Sequence, residues 1–348
     1  MDTLDPRELI TRQRLHQIVE QAPGLCIAVL GDYFLDRYLV TDPALSERSI
    51  ETGLEARQVV EIRSSPGAAG TVTNNLCALG VGCVEAVGVI GENGEGTELV
   101  RGLVSTGVRT EYLLRTRDRF TPAYIKPMVR EGAFERELER LDIKNRTPLP
   151  ADAESHVIHA LQTLLARKQR RVHGLIVADQ VTEEDCGVVT RRVREALARA
   201  AQAYPKAIVY ADSRARIGAF RNVIIKPNQA EAAAALGLDG IRTLEDARKA
   251  ARLLVERVGS TVFLTLGADG ILVCTPEECA HVKSVPVEGP IDIVGAGDSA
   301  TAGIVTALCT GASWVEAAAL GCLCARITIK KLGTTGTASP QELAELLE

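Results

Sequence analysis

Strand–helix alternation through the second half of the chain predicts an α/β protein: a doubly wound, mostly parallel sheet flanked by helices, with a small β-sheet lid. Two further observations agree. Hydrophobic residues make up 46% of the 348 residues but aromatics only 3%, so the core is built from Val, Leu, Ile and Ala, which suits parallel strands covered on both faces. Several Val/Ile/Leu runs end in a polar or small residue, namely Asp32, Asp179, Asp212, Asn228 and Gly267, as expected where a site lies at the carboxyl ends of the strands.

Taken in order, a charged helix is expected over about 6–22, and LCIAVLGD reads as a first buried strand closing at Gly31-Asp32. Residues 38–63 hold no helical period and contain two β-like runs, YLV and RQVVEI. SSPGAAGTVTNNLCALG enters a helix, VEAVGVIG is a strand, and a helix follows from about Glu95 to Ser105. EYLLR and AYIKPMV read as strands, as does ELERLDI; with 38–63, the segment 111–131 is assigned to the lid. Then come helix 151–167, strand HGLIVAD, helix 184–203, strands AIVYAD and NVIIKPN, and helices 229–237 and 243–258. Strand TVFLTLG, the hairpin ILVCT to HVKSVPV, and helices 296–310 and 313–330 complete the pattern. Residues 1–24 read as a helical extension and 25–348 as one domain.

The formal charge of −5, with no Lys/Arg tract, gives no reason to expect nucleic acid. No apolar run is long enough to span a bilayer, and the polar start MDTLDPRELITRQRLHQ does not read as a signal peptide, so a cytoplasmic protein without a membrane partner is expected. Nine cysteines, mostly in apolar surroundings and without a CxxC pair, read as small buried residues of a reducing compartment. Five scattered histidines argue against a zinc hydrolase.

The most informative stretch is DIVGAGDSATAGIVTAL, Asp292 to Leu308. Gly295, Ala296 and Gly297 leave backbone N–H groups unobstructed at the start of a helix, a site for an anion that gains charge during a reaction. Asp298, in the first turn, would repel a resting phosphate but is well placed to take a proton from an attacking hydroxyl. This reads as phosphoryl transfer without a Walker loop. Glycines before helices are common, and an early Asp also simply complements the helix dipole.

Four motifs in one order then carry a resemblance: GDYFLDRY, SPGAAGTVTNNLCALG, KPNQAE, and TLGADGILV followed by DIVGAGD. Over essentially all of 25–347 the chain resembles the ribokinase-like (PfkB) carbohydrate kinases; KKLGTTGTASPQEL and GDYFLDRY look most like the heptose-phosphate kinase branch. The resemblance implies transfer of the γ-phosphoryl group of ATP to a sugar hydroxyl. Asp298 matches the base and Gly295, Ala296 and Gly297 the anion hole. Asn228 and Glu231 match an NxxE motif that organises Mg²⁺ through water, although the same spacing is an ordinary capping box. Gly267 and Gly270 match a turn that approaches the nucleotide, although a plain hairpin explains them equally.

By the same resemblance Asp32 and Asp36 bind sugar hydroxyls. Asp32, which closes a strand, is preferred; Asp36 reads equally as a salt-bridged neighbour of Arg37. Three positions depart from the family pattern. Gly67-Ala68 and Thr71 replace the usual glycine pair and Asn of the sugar turn, and Cys322 stands where relatives place an Asn near the base. Lys126, Arg130, Arg136 and Arg140 lie in or beside the lid strands, and Lys126 and Arg140 in particular are candidates for holding a phosphate already on the sugar. A monovalent cation such as K⁺ beside Asp292, Val294 and the loop 333–337 is implied only by resemblance. A homodimer through the lid is expected because its strand edges need cover. No second domain of the kind fused to some heptose kinases is expected.

Three other readings were weighed: a kinase for a free sugar such as ribose or fructose, a non-catalytic sugar binder, and a dinucleotide-dependent dehydrogenase. The complete Asp298, Gly-Ala-Gly and Asn228/Glu231 set argues against the binder. Neither GVGCVEAVG nor GENGEG has the GxGxxG spacing a dehydrogenase would need.

Overall fold

Two apolar faces alternate along the central strands, and each collects its own layer of helices. Ile27, Val29, Ile176 and Tyr210 point to one side, under helices Ala69–Ala78, Ala296–Cys309 and Trp314–Thr328. Ala28, Leu30, Leu175 and Val177 point to the other, under helices Ala151–Ala166, Arg191–Ala203 and Leu244–Val258. A fully buried aliphatic side chain contributes about 1.5–3 kcal/mol, so this double cover stabilises a sheet with few aromatics. The computed structural model describes residues 3–132, 134–333 and 335–347, with only the backbone of Phe134.

The large sheet has ten strands. Its central order is Ile208–Ser213, Gly174–Asp179, Cys26–Gly31, Cys83–Gly91 and Arg109–Thr116, all parallel. Beyond Ile208–Ser213 lie Ile224–Ile225 and Val262–Thr265, then the antiparallel strands Ile271–Cys274 and Cys279–Val282. After the short edge strand Thr3–Leu4, the chain enters the middle of the sheet at Cys26–Gly31, builds outward one way, then returns to build the other way from Gly174–Asp179. That reversal opens a crevice at the carboxyl ends of these two strands.

A second sheet of five strands stands apart, built on Tyr33–Thr41, Val59–Ala68 and Ala123–Glu131, with Phe134–Glu137 and Leu141–Ile143. It corresponds to the expected lid, with different bounds: its first two strands run out to Tyr33 and Ala68. The EYLLR segment lies elsewhere, because Arg109–Thr116 pairs with Cys83–Gly91 as the edge of the large sheet. A short polar strand at a sheet edge gives the same sequence pattern in either sheet.

The N-terminal segment is less separate than its composition suggests. The single helix expected over 6–22 is two, Pro6–Leu9 and Arg12–Gln21, the second capped by Thr11. Thr3–Leu4 adds a parallel strand beside Cys279–Val282, and Ile10, Leu15 and Ile18 are buried in the main core. Helix 184–203 starts late, at Arg191, where Thr190 caps it. One cysteine expectation is also corrected: Cys274 and Cys279 stand directly opposite across a hairpin and form a disulfide. Among the described residues no helix is long and apolar enough to cross a membrane.

Candidate active site

Gly295 adopts a left-handed backbone (φ 82°) that carries the chain from an exposed loop into helix Ala296–Cys309. A side chain there would also come within 2.6 Å of Thr335. Among the described residues no side chain caps this helix, and the Ala296 N–H already donates to the Ile293 carbonyl (3.2 Å). The N–H groups of Gly297 and Asp298, having no acceptor within the helix, are left to face the cleft.

Three carboxylates and two cations meet here. Asp212 is the penultimate residue of strand Ile208–Ser213 and Lys226 follows the neighbouring Ile224–Ile225, so parallel pairing sets them side by side, Nζ to Oδ2 2.8 Å. A Cβ on Gly297 would lie 3.5 Å from the Lys226 ammonium, which puts that charge beside the anion-binding turn. Burial, reinforced by the charge of Asp212, pushes the Asp298 carboxyl up to about 7, against the pull of Lys226 and Arg214. A carboxylate titrating near neutrality suits a general base.

Asn228 and Glu231 form a complete capping box: Asn228 Oδ1 accepts from the Glu231 N–H (2.9 Å) and Glu231 Oε2 from the Asn228 N–H (2.8 Å). The capping role does not exhaust Glu231. Burial and the charge of Asp212 raise its carboxyl to about 6, while Lys226 and Arg214 lower it, so it shares the field of the charges around Asp298. Such a carboxylate surplus fits a divalent cation carrying much of its own water, as Mg²⁺ does.

Beside this cluster a cleft of about 210 Å³ is lined by Asn228, Gly267, Gly270, Ala296, Gly297 and Cys322, together with Ile271 and Ala300. Six residues singled out in the sequence thus share one wall. The two turn glycines differ in purpose. A Cβ on Gly270 would strike the Val282 carbonyl at 2.1 Å, a demand of the hairpin itself, whereas Gly267 faces open space. The Cys322 thiol is buried in the wall, and that burial pushes it up to about 12, so it acts as an apolar surface.

The two early aspartates sit in different surroundings. Asp32 is buried, and its carboxylate accepts three backbone N–H bonds, from Gln180 (2.9 Å), Val181 (3.1 Å) and Val188 (2.7 Å). It ties down the loop after strand Gly174–Asp179, at the crevice, and its oxygens are already engaged. Asp36 projects from the lid strand toward the cluster, with Lys126 Nζ 3.8 Å away, and its charge is felt at Asp298. Gly67 has no side chain because a Cβ would sit 2.3 Å from Asp36 Oδ2. Ala68 holds φ 54°, ψ −118°, a conformation natural to glycine and strained for alanine. Thr71 is buried at the start of helix Ala69–Ala78, against the turn at Gly295.

The basic candidates separate into two groups. Lys126 lies over the Tyr38 ring (4.7 Å) and Arg140 over Tyr124 (4.6 Å), the latter paired with Asp142. Arg130 and Arg136 are exposed and paired with Glu61 and Glu131. Sequence reasoning missed two cations. Lys226 stood inside the quoted KPNQAE, its signal being a lysine at a strand end. Arg214, two residues beyond Asp212, lines a cavity between lid and sheet with Phe34, Tyr124, Lys144 and Gln180. At the proposed monovalent site, Asp292 Oδ1 accepts from the Val294 N–H (3.0 Å), and the Thr337 carbonyl accepts from Lys331 Nζ (2.6 Å). Thr334 of that loop lies outside the described residues.

The family model described as pfkB family carbohydrate kinase matches residues 39–342. Among curated proteins, the bifunctional protein HldE of Desulfatibacillum aliphaticivorans is 29% identical over 323 residues, 92% of this chain and 63% of that one. HldE of Trichlorobacter lovleyi is 29% identical over 343 residues, 95% and 65% respectively. The chain thus spans just under two thirds of the length of these relatives. Among solved structures, phosphofructokinase-2 from Escherichia coli in complex with potassium superposes with TM-score 0.73 at 19% identity, covering 93% of this chain and 98% of that one. Arabidopsis thaliana ribokinase complexed with ribose and ATP gives TM-score 0.67 at 17% identity, covering 93% and 99%.

Proposed function

Given that the chain belongs to the pfkB family of carbohydrate kinases, and so is a phosphotransferase with an alcohol group as acceptor, we propose that it moves the γ-phosphoryl group of ATP to a hydroxyl of an already phosphorylated sugar of the heptose or hexose type. The observation that carries the kinase mechanism is Asp298 in the first turn of a helix that no described side chain caps, raised to about 7 and flanked by Lys226. Asp298 accepts the proton of the acceptor hydroxyl as that oxygen attacks. The N–H groups of Gly297 and Asp298 then meet negative charge growing on the transferred group, without reorganising to do so. Lys226, held by Asp212, contributes a fixed positive charge on the same side. Glu231 and Asn228 would hold Mg²⁺ through water, the ion serving to spread the phosphate charge. The open apolar cleft beside Gly267 and Cys322 suits an adenine base.

The sugar-phosphate reading rests on the HldE relatives and on cations around the acceptor side. Asp36 can orient a sugar hydroxyl, the rings of Tyr38 and Tyr124 offer apolar faces, and Lys126, Arg140, Lys144 and Arg214 supply charge for a second phosphate. A free-sugar kinase such as one for ribose or fructose is the alternative. A panel of free and phosphorylated sugars at one salt concentration, read by ADP release, separates them. Higher kcat/KM for a sugar phosphate, with KM raised about tenfold or more by Arg214→Ala or Lys126→Ala, supports the proposal. Faster turnover of free sugars, with neither substitution changing KM, overturns it and leaves the family assignment standing.

The monovalent cation gains less from the residues present, since a lysine ammonium already occupies the Thr337 carbonyl. For the dimer, the lid carries exposed Leu45, Ile50, Leu54 and Ile62, an apolar face that a second copy would cover. Light scattering of the protein and of Ile62→Lys tests it: a dimer that the charge splits is expected, and a wild-type monomer overturns it.

A further inference from the structure

At the opposite end of the central strands from Asp298, Cys26 opens strand Cys26–Gly31 and Cys83 opens its parallel neighbour Cys83–Gly91. The two residues are in register, so their side chains share a face, and their sulfurs are 2.9 Å apart. Glu85, two residues along the same strand, turns to that face with Oε1 3.8 Å from the Cys83 sulfur. Glu85 is fully buried. Its Oε1 takes a hydrogen bond from Arg167 (2.9 Å), but Oε2 is buried with no partner among the described residues.

Two thiols and a carboxylate, each offering a ligand atom within 4.8 Å of the others, have no part in phosphoryl transfer. We propose that Cys26, Cys83 and Glu85 bind one thiophilic divalent cation, with Zn²⁺ the ion whose ligand preferences they match. Zinc takes thiolate and carboxylate ligands tetrahedrally, and Zn–S bonds of about 2.3 Å hold two sulfurs about 3.7 Å apart. Cys83, the less buried thiol, would move by less than about 1 Å to reach that spacing. With three protein ligands, the fourth tetrahedral position would be taken by water.

The charges close as well. Binding releases two thiol protons to solvent, leaving two thiolates and a carboxylate to face the dication, with Arg167 on Glu85 and Arg109 near Cys83. The ion would staple two central strands at the end remote from catalysis.

The test uses the whole protein, stripped with chelator under reductant and titrated with Co²⁺. Thiolate-to-cobalt charge transfer and visible bands of a tetrahedral site should saturate at one Co²⁺ per chain and be displaced by Zn²⁺. Cys83→Ser should abolish them, Glu85→Gln should weaken binding by about tenfold or more, and Cys77→Ser should leave both unchanged. In the wild type, Zn²⁺ should protect Cys26 and Cys83 from alkylation, mapped by peptide mass, which needs no variant to fold. Absent bands, bands that survive Cys83→Ser, unprotected thiols, or a Cys26–Cys83 disulfide in the purified protein would each overturn the proposal.

Discussion

The acid limb of the pH–rate profile should belong to Asp298. Its carboxyl sits at about 7, so about half is ionised at pH 7, about a tenth at pH 6 and about a hundredth at pH 5. The base works as the carboxylate, so kcat/KM for the acceptor, measured at saturating MgATP, should fall about tenfold per unit below pH 7 and level off above about pH 8. Lys226 is one of two cations pulling that carboxyl down. Lys226→Met should therefore shift the limb upward by about one unit or more, whatever it does to the plateau. The same shift has a stability sign. A carboxyl raised from 3.8 contributes stability below its unfolded value and loses it as pH rises through about 7, so the ionised Asp298 costs the free enzyme stability at pH 8. At 1.36 kcal/mol per unit the ceiling is about 4 kcal/mol, and partial solvent access brings it to about 2. Urea unfolding should find Asp298→Asn more stable than wild type by that order at pH 8, with the gap closing toward pH 4. A flat profile between about pH 5.5 and 8, or a limb unmoved by Lys226→Met, would refute this reasoning.

Three other outcomes follow from particular contacts. Ala68→Gly should stabilise the protein by about 1 kcal/mol, because release of backbone strain exceeds the added entropy of the unfolded chain; denaturant melts showing a loss instead would remove the strain argument. Exchanging KCl for NaCl should change turnover less than about twofold, while Lys331→Met should make thermal stability respond to K⁺ by vacating the Thr337 carbonyl. A strong K⁺ requirement in the wild type would contradict this. Glu231→Gln should raise the MgCl₂ needed for half-maximal rate far more than the KM of the sugar; an unchanged Mg²⁺ response in the folded variant would leave Glu231 as a helix cap.

The sequence revealed most where local rules and tertiary demands coincide. GAGD shows its turn, its helix start and its acid together, because a left-handed glycine, open N–H groups and a first-turn carboxylate are all encoded within four residues. Strands such as Gly174–Asp179, buried on both faces, read clearly as apolar runs. Legibility failed where identity depends on partners distant in the chain. Asp32 and Asp36 look alike in GDYFLDRY, and only the loop 180–188 folding over Asp32 supplies the three N–H groups that occupy it. Arg109–Thr116 reads as a generic edge strand, and the sheet it joins is decided by pairing with Cys83–Gly91. Lys226 and Arg214 were hidden for the same reason: a basic residue after a strand looks solvated until neighbouring strands bring Asp212 and Asp298 beside it. The Cys274–Cys279 bridge escaped because a spacing of five matters only once a hairpin sets the two opposite.

The most direct test of the central claim is phosphoryl transfer by Asp298→Asn under single-turnover conditions, with MgATP and the best acceptor in the panel, beside an equilibrium measurement of ATP binding. The substitution keeps shape and removes the base and one negative charge. Transfer should slow by about 10²–10⁴-fold while ATP affinity stays the same or improves slightly. A variant that transfers within about threefold of wild type would contradict the assignment of Asp298 as the base.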